Sequence, residues 1–274
     1  MGKAIVAAAK GELKEGLILN SEILDPGNLS LAVKDVLSKA VPKPITDQEA
    51  AFVLHDERTF TLRLPSPPAT GSRLAREELE KRVAPLLLPV PFSSQVVDSL
   101  GRQFIAADQK MVSGYTGLLE SLGLKARLAV PESCAFSFLF APLIKESELI
   151  LFLDIGAKTT DAVLLDQEGV VQTFTEPIDL TRLRSGIEEL IGFSKEKLGK
   201  EPQRVFLGGG GALVTDAKKL AEEIGRQVSS AEEVFPSYPV PIKVDFGKVS
   251  KLSFLSLFGL ALIFQQKDQL NFLH

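Results

Sequence analysis

The sequence predicts an α/β protein in which helices cover both faces of a central sheet. Two observations predict this class. From Lys125 onward, short apolar runs typical of strands alternate with segments whose apolar residues recur at helical spacing. Residues 50 to 123 show a different pattern, in which pairs of strand-like segments lie between helix-like segments. This pattern indicates a small α+β domain inserted into the larger one. With 45% hydrophobic residues over 274 positions, the chain can form the hydrophobic core that such a protein needs.

The first third of the chain begins with extended segments. Residues 4–20 predict a strand, a Lys-Gly-Glu turn and a second extended piece. A helix follows over 28–40, with Asn28 or Ser30 available as its N-cap, and the proline-rich segment after it ends that helix. Within the inserted domain we expect strands at 50–57 and 58–65, a helix from Arg73 to Leu87, a strand pair over 93–108 and an amphipathic helix over 109–124.

The remaining elements follow from the same periodicities. We expect strands at 125–130, 148–156, 161–167, 170–178 and 204–208, and helices at 132–144, Thr181 to Leu198 and 212–228. The apolar run from Leu252 to Phe264 is shorter than the about 20 residues that cross a bilayer, so it predicts a buried helix.

Composition excludes several classes of function. A net charge of −4 and a pI near 5.5 leave no basic surface for nucleic acid. The single cysteine, Cys134, cannot form an internal disulfide and is expected in the core; the start of the chain lacks a secretory signal, so we expect a cytoplasmic protein without membrane insertion. The only histidines are His55, expected to be a partly exposed strand residue, and His274, and no zinc-site spacing occurs.

One candidate for binding chemistry is the stretch LFLDIGAKTTDAVLLD, in which an apolar strand turns at Gly156 and returns as a second strand. Gly156 lets backbone N–H groups approach an anion, Lys158 adds a positive charge, and the hydroxyls of Thr159 and Thr160 can donate to phosphate oxygens. Asp154 can order water around Mg²⁺. The alternative is a polar turn between two strands, since Asp and Gly favour turns in any case.

The second candidate is the stretch RVFLGGGGAL, in which a strand ends in Gly208, Gly209, Gly210 and Gly211 and a helix is predicted directly afterwards. Bare backbone at that place suits a nucleotide. The alternative is a flexible strand-to-helix connection. Leu213 replaces the last glycine of a dinucleotide-binding fingerprint, and a Walker A lysine is absent. Glu132, after another predicted strand, is expected to favour the positive end of the following helix.

In this order, the two stretches resemble the second phosphate loop and the adenosine loop of the actin-like ATPase superfamily, which has a ribonuclease H-like fold. Within that superfamily the sequence resembles the PilM proteins of type IV pilus assembly, which are related to the cell-division protein FtsA. The resemblance is carried by AADQKMVSGYTGLLESLGLKARLAVPESCAF, LFLDIGAKTTDAVLLD, VFLGGGGAL and FGLALIFQQKDQLNFL.

The resemblance implies a reduced actin-like fold in four parts. Residues 1–49 would be a remnant of the first half, 50–123 the inserted small domain, 124–145 the return to the first half, and 146–274 a shortened second half. The first phosphate loop of the family has no counterpart before Asp154 except Asp25-Pro26-Gly27, which is expected in a loop. Between Asp154 and Gly208 there is room for a strand and one helix, so the helical subdomain that contacts the nucleoside is mostly missing.

These departures predict a degenerate nucleotide site. Phosphoryl transfer depends on positioning and charge neutralisation, so a chain without one phosphate clamp and without the nucleoside wall is expected to bind ATP with Mg²⁺ weakly or not at all. The site residues implied are Asp154, also for the metal, together with Gly156, Lys158, Thr159, Thr160 and Gly208 to Gly211. We assign no catalytic residue.

The resemblance implies a cytoplasmic scaffold that binds the N-terminal peptide of a PilN-like inner-membrane protein. The groove would lie beside the inserted domain, near the helix from Arg73 to Leu87 and the strands around Phe52 and Phe60. The alternatives are an ATPase or small-molecule kinase of the same superfamily, or an FtsA-like filament former, although no basic amphipathic anchor is visible. An open strand edge near the start of the chain would also allow self-association.

Overall fold

The structure is a computed structural model that describes residues 4–63, 91–97, 103–177, 180–212, 217–246, 249–265 and 271–273. The predicted helix from Arg73 to Leu87 and Leu213 lie outside the described residues. In chain order the strands are β1 (Ile18–Leu19), β2 (Glu22–Ile23), β3 (Glu49–Leu54), β4 (Thr59–Arg63), β5 (Phe92–Val97), β6 (Gln103–Asp108), β7 (Lys125–Pro131), β8 (Ile150–Ile155), β9 (Thr159–Asp166), β10 (Gly169–Pro177), β11 (Arg204–Gly208) and β12 (Val228–Ser230).

The α-helices are α1 (Pro26–Ser38), α2 (Gln109–Ser121), α3 (Glu132–Phe140), α4 (Leu180–Leu198), α5 (Ala217–Ile224) and α6 (Leu255–Ile263). Short 3₁₀ turns cover Asp56–Arg58, Ala141–Leu143, Ala231–Ser237 and Lys251–Phe254. The expected buried helix near the end is thus confirmed as a 3₁₀ turn that continues into α6.

A five-stranded sheet forms the centre of the second half, in the order β10-β9-β8-β11-β12. β8, β9 and β10 form an antiparallel meander, whereas β11 runs parallel to both β8 and β12. Parallel pairing places the ends of β8 and β11 at one edge of the sheet, with Gly208 opposite Asp154. This register brings the two predicted loops together.

Helices cover both faces of this sheet, as the alternation of elements predicted. Ile150 and Phe152 of β8 point into one core with α3 and α6, whereas Leu151 and Leu153 point into a second core with α4 and α5. The two-residue period of a strand produces this division. The residues are apolar on both sides because neither face meets water.

The first half contains a parallel pair, β3 and β7, flanked by α6 and α2. The C-terminal residues lie along β7, where the Phe272 N–H donates to the Ala129 carbonyl over 3.0 Å. A separate antiparallel sheet, β4-β6-β5, lies between β3 and α2 in the chain. The β5–β6 pair confirms the strand pair predicted over 93–108.

Three predictions for the first 40 residues are wrong. The extended start forms isolated bridges, Ile5 with Ile242 and Ala8 with Val41, and the hairpin β1–β2 lies further along than expected. The N-cap of α1 is Asp25, whose carboxylate accepts the Asn28 N–H over 2.9 Å, rather than Asn28 or Ser30. Pro26 at the first position has no N–H to satisfy and a fixed φ, so Asp-Pro-Gly begins a helix here and is not a loop.

Candidate functional site

The corner after β8 is a tight hairpin. β8 and β9 pair with Asp154 opposite Asp161, and the Gly156 N–H donates to the Thr159 carbonyl over 2.9 Å. A Cβ on Gly156 would lie 2.9 Å from that same carbonyl oxygen. A side chain would not fit at this position, so the tight turn requires Gly156 whether or not the turn binds a ligand.

The tetraglycine bend after β11 packs directly against this corner. The Gly211 N–H donates to the Ile155 carbonyl over 2.7 Å, and the Gly209 N–H to the Leu252 carbonyl over 3.1 Å. Gly209 has φ +86°, and a Cβ there would lie 2.1 Å from Asp154 Oδ1. The two bends therefore lie in direct contact, and the tetraglycine bend is fixed by hydrogen bonds rather than being a flexible connection.

A cavity of about 580 Å³ opens beside the two bends. Six of the predicted site residues line it: Asp154, Gly156, Thr159, Gly209, Gly210 and Gly211. The other three do not. Lys158 is 79% exposed and lies 3.8 Å from Glu15, Thr160 is buried, and a Cβ on Gly208 would meet Leu255 and Phe152 in the core.

Four ionisable residues that were not predicted for the site also line the cavity: Lys10, His55, Glu132 and Asp161. His55 directly follows β3, so it is not the strand residue expected, and Glu132 is the first residue of α3 after β7. Both therefore follow the carboxyl ends of parallel strands, where ligand sites of α/β sheets commonly lie. That rule was the sequence signal that could have found them.

Lys10 enters the cleft from the N-terminal segment, where its ammonium donates to Ser253 Oγ over 3.1 Å. The same ammonium would lie 2.9 Å from a Cβ on Gly210. Among the described residues, Lys10 is the only lysine or arginine that lines the cavity. No feature of the sequence around Lys10 indicated this placement.

The electrostatics of the cleft are dominated by carboxylates. Burial, and next the charges of Glu132, Asp161 and Asp56, raise the pKa of Asp154 well above its ordinary value. Burial also raises the pKa of Glu132 and of Asp161, although the charge of His55 and a hydrogen bond from Thr175 to Asp161 oppose it. Crowded carboxylates disfavour one another's charged form and would equally disfavour a phosphate.

Asp56 is a fourth acid, immediately behind the cleft. Its carboxylate accepts the Ser133 N–H and the Ser133 hydroxyl, each over 2.8 Å, and the Thr59 hydroxyl over 3.0 Å. Burial, followed by the charge of Glu132, raises the pKa of Asp56 to about 7. Asp56 thus fixes the start of α3 and, with it, the position of Glu132. Cys134, on the same helix, is buried in the core as expected.

Comparisons with known proteins support the fold. No protein-family model matches the chain, and its sequence matches no curated protein. A solved chain of a PilM–PilN type IV pilus biogenesis complex is similar over 92% of this chain and 89% of that chain, with a TM-score of 0.72 and 18% identity. A Bacteroides thetaiotaomicron protein with an actin-like ATPase fold is similar over 84% and 80%, with a TM-score of 0.50 and 11% identity.

These likenesses show that the chain has the actin-like fold, as the resemblance in the sequence implied. The cleft described above lies at the ends of β7, β8 and β11. In the part of the chain that the structure describes, no helix has the length and apolar character needed to cross a membrane.

Proposed function

We propose that the chain is a cytoplasmic scaffold of a type IV pilus or a related secretion machine, and that it binds the cytoplasmic N-terminal peptide of a PilN-like inner-membrane protein. The observation that carries the proposal is the likeness to a chain of a PilM–PilN complex over nearly the whole length of both chains. Attachment to the inner membrane would then depend on the partner.

A groove beside the inserted sheet is the place that suits such a peptide. It encloses about 220 Å³ between the β1–β2 hairpin, the turn at Asp56–Arg58 and α2. Tyr115 of α2 lines it, and the Tyr115 ring stacks on Phe52 of β3 at 5.9 Å between centroids. Through Tyr115, the groove lies next to Phe52, one of the residues near which the sequence predicts the peptide to bind.

The charges at the groove are already paired. Arg58 donates to Asp108 over 2.6 Å, and the Lys110 ammonium contacts Glu22. A peptide that enters therefore meets an aromatic ring and a neutralised polar rim, which suits an apolar segment with a few backbone hydrogen bonds.

A matched pair of glycines on α2 tests the groove. Gly114 lines it, whereas Gly117 on the same helix does not, and a Cβ at either position would meet no atom within 4 Å. Leucine favours a helix over glycine by roughly 0.5–1 kcal/mol, so neither variant should unfold the chain. Gly114→Leu fills the groove, and Gly117→Leu is the control.

The measurement is fluorescence anisotropy with a synthetic peptide of the N-terminal cytoplasmic residues of the PilN-like protein from the same genome. We expect the wild-type chain and Gly117→Leu to bind alike, and Gly114→Leu to lose affinity at least about tenfold, which corresponds to 1.4 kcal/mol. The proposal is wrong if the wild-type chain does not bind the peptide, and the groove is wrong if both variants bind as the wild type does.

For the nucleotide, we propose that ATP with Mg²⁺ binds weakly or not at all. Three observations support this: the carboxylates of Glu132, Asp154 and Asp161 are crowded in the cleft, Lys158 lies outside it, and the tetraglycine bend is in contact with Asp154. Calorimetry with Mg²⁺-ATP tests it. Micromolar binding that Asp154→Ala abolishes would support the alternative, an actin-like ATPase or kinase.

A further inference from the structure

Three side chains of types that commonly bind metal ions lie close together in the cleft. His55 comes from the end of β3, Glu132 from the start of α3, and Asp161 from β9. One ligand atom from each lies within 4.8 Å of the other two. They are far apart in the sequence, so the fold alone brings them together, and all three line the cavity of about 580 Å³.

The spacing is close to that of a metal centre. Ligand atoms that share one ion at about 2.0–2.2 Å lie about 3 to 4 Å from one another. Small side-chain rotations from the observed arrangement would suffice to reach this spacing, because the cavity leaves room between the three groups. An imidazole with two carboxylates is a common ligand set for divalent transition metals.

A second observation concerns the imidazole. His55 Nδ1 is shielded from solvent and has no hydrogen-bond partner in the described part of the chain. Buried polar atoms are normally satisfied, so the unpaired ring nitrogen of a residue that lines the cavity is free to accept a ligand. Asp161 is only 6% exposed and uses one oxygen for the Thr175 hydroxyl, which orients the carboxylate as second-shell partners of metal ligands do.

We propose that His55, Glu132 and Asp161 bind one divalent transition-metal ion, such as Zn²⁺, directly and without nucleotide. This site differs from a Mg²⁺ site at Asp154, because the imidazole favours zinc, iron or nickel over Mg²⁺, which prefers oxygen ligands and water. The ion would offset the repulsion between the carboxylates. It would also join the segment that leads into the inserted sheet to the central sheet.

The test uses the full chain without an affinity tag, stripped with EDTA and then reconstituted with Zn²⁺ or Co²⁺. We expect one metal ion per chain by elemental analysis after gel filtration, visible d–d absorption bands in the Co²⁺ form, and retention of Zn²⁺ in excess Mg²⁺. His55→Gln and Glu132→Gln should each weaken Zn²⁺ binding at least about a hundredfold, since even the loss of a second-shell partner costs about 10- to 100-fold.

Two control variants separate the ligands from general effects. His274→Gln removes the other histidine of the chain, and Glu57→Gln removes a carboxylate whose charge acts on Asp161 without being one of the three. Both controls should retain the ion. Circular dichroism checks that each variant is folded.

Three results would overturn the proposal. The first is a wild-type chain that holds none of these ions after reconstitution. The second is loss of the ion in His274→Gln with retention in His55→Gln. The third is loss of the ion in Asp154→Asn with full retention in both His55→Gln and Glu132→Gln, which would place the ion at the corner after β8.

Discussion

At the scale of single residues, Gly209 decides how the cleft is built. Its φ of +86° lies in the left-handed region, and the space where a Cβ would stand contains Asp154 Oδ1 at 2.1 Å and the Ile155 carbonyl oxygen at 2.4 Å. Any side chain would need both a strained backbone and a displaced corner. Gly209 is therefore what allows the ends of β8 and β11 to lie in contact.

We predict that Gly209→Ala is strongly destabilising, and Gly225→Ala provides the matched control. Gly225 also has a positive φ, +66°, but a Cβ there would meet no atom within 4 Å. The strained backbone alone costs roughly 1–2 kcal/mol, which we expect for Gly225→Ala. Gly209→Ala adds a collision, worth roughly 1–3 kcal/mol more. Urea unfolding measures both, and equal losses for the two variants would show that the collision is relieved without cost.

The residues of the cleft differ in how far the sequence predicts them. Asp154, Gly156 and the glycine run could be predicted, because a strand that ends in Asp-x-Gly or in repeated glycine is a local pattern. His55 and Glu132 could have been found only through the rule that ligand sites follow the carboxyl ends of parallel strands. Asp161 could not, since it has no local pattern and the pairing of β8 with β9 places it opposite Asp154. Lys10 depends on the long-range contact with Ser253.

At the scale of elements, two side chains among the described residues join the β4-β6-β5 sheet to the central sheet. Arg63 at the end of β4 makes a two-pronged ion pair with Asp166 at the end of β9, in which Nη2 donates to Oδ1 over 2.7 Å. Gln103 of β6, fully buried, donates to the Val170 carbonyl over 2.6 Å. These contacts hold the β4-β6-β5 sheet against the hairpin of β9 and β10.

We predict a coupling free energy of about 1–3 kcal/mol between Arg63 and Asp166, because both side chains are about four-fifths buried, at 18% and 21% exposed, and the bonds are charge-assisted. A double-mutant cycle with Arg63→Leu and Asp166→Asn measures it by urea unfolding. Arg127 and Glu49 make a similar pair on β7 and β3 but are 43% and 52% exposed, so their coupling should stay below about 1 kcal/mol. Equal coupling in the two cycles would contradict the role of burial.

Most elements after Lys125 follow from periodicity, because strongly apolar strands and amphipathic helices alternate there. The exception is the helix predicted over 212–228, which ends at Ile224, so that Val228 begins the unpredicted strand β12. The first 40 residues do not follow from periodicity, because their conformation depends on distant partners. Ile5 pairs with Ile242, and Ala8 with Val41, so an apolar segment that reads as a strand forms single bridges. At α1, the Asp-Pro pair is a local signal that could have placed the N-cap correctly.

At the scale of the whole molecule, the cleft lowers stability as the pH rises. The buried carboxyl of Asp154 faces Glu132, Asp161 and Asp56, with His55 and Lys10 as the basic groups that line the same cavity. Its pKa in the folded chain is raised. Between the ordinary pKa of a carboxyl and this raised value, the folded chain binds more protons than the unfolded chain, so the free energy of unfolding falls with increasing pH.

We therefore predict that Asp154→Asn stabilises the metal-free chain in a pH-dependent way. At pH 8 the variant should gain about 0.5–2 kcal/mol in the free energy of unfolding, because it removes a buried acid whose ionisation is opposed by three others. Towards pH 4 the wild-type carboxyl is protonated in the fold, so the difference should shrink to near zero. Urea unfolding of both chains in EDTA from pH 4 to 8 measures this. A gain that is constant across the range, or largest at pH 4, would mean that Asp154 is not held against its charge, and that the cleft tolerates a carboxylate, and hence a phosphate, better than its geometry indicates.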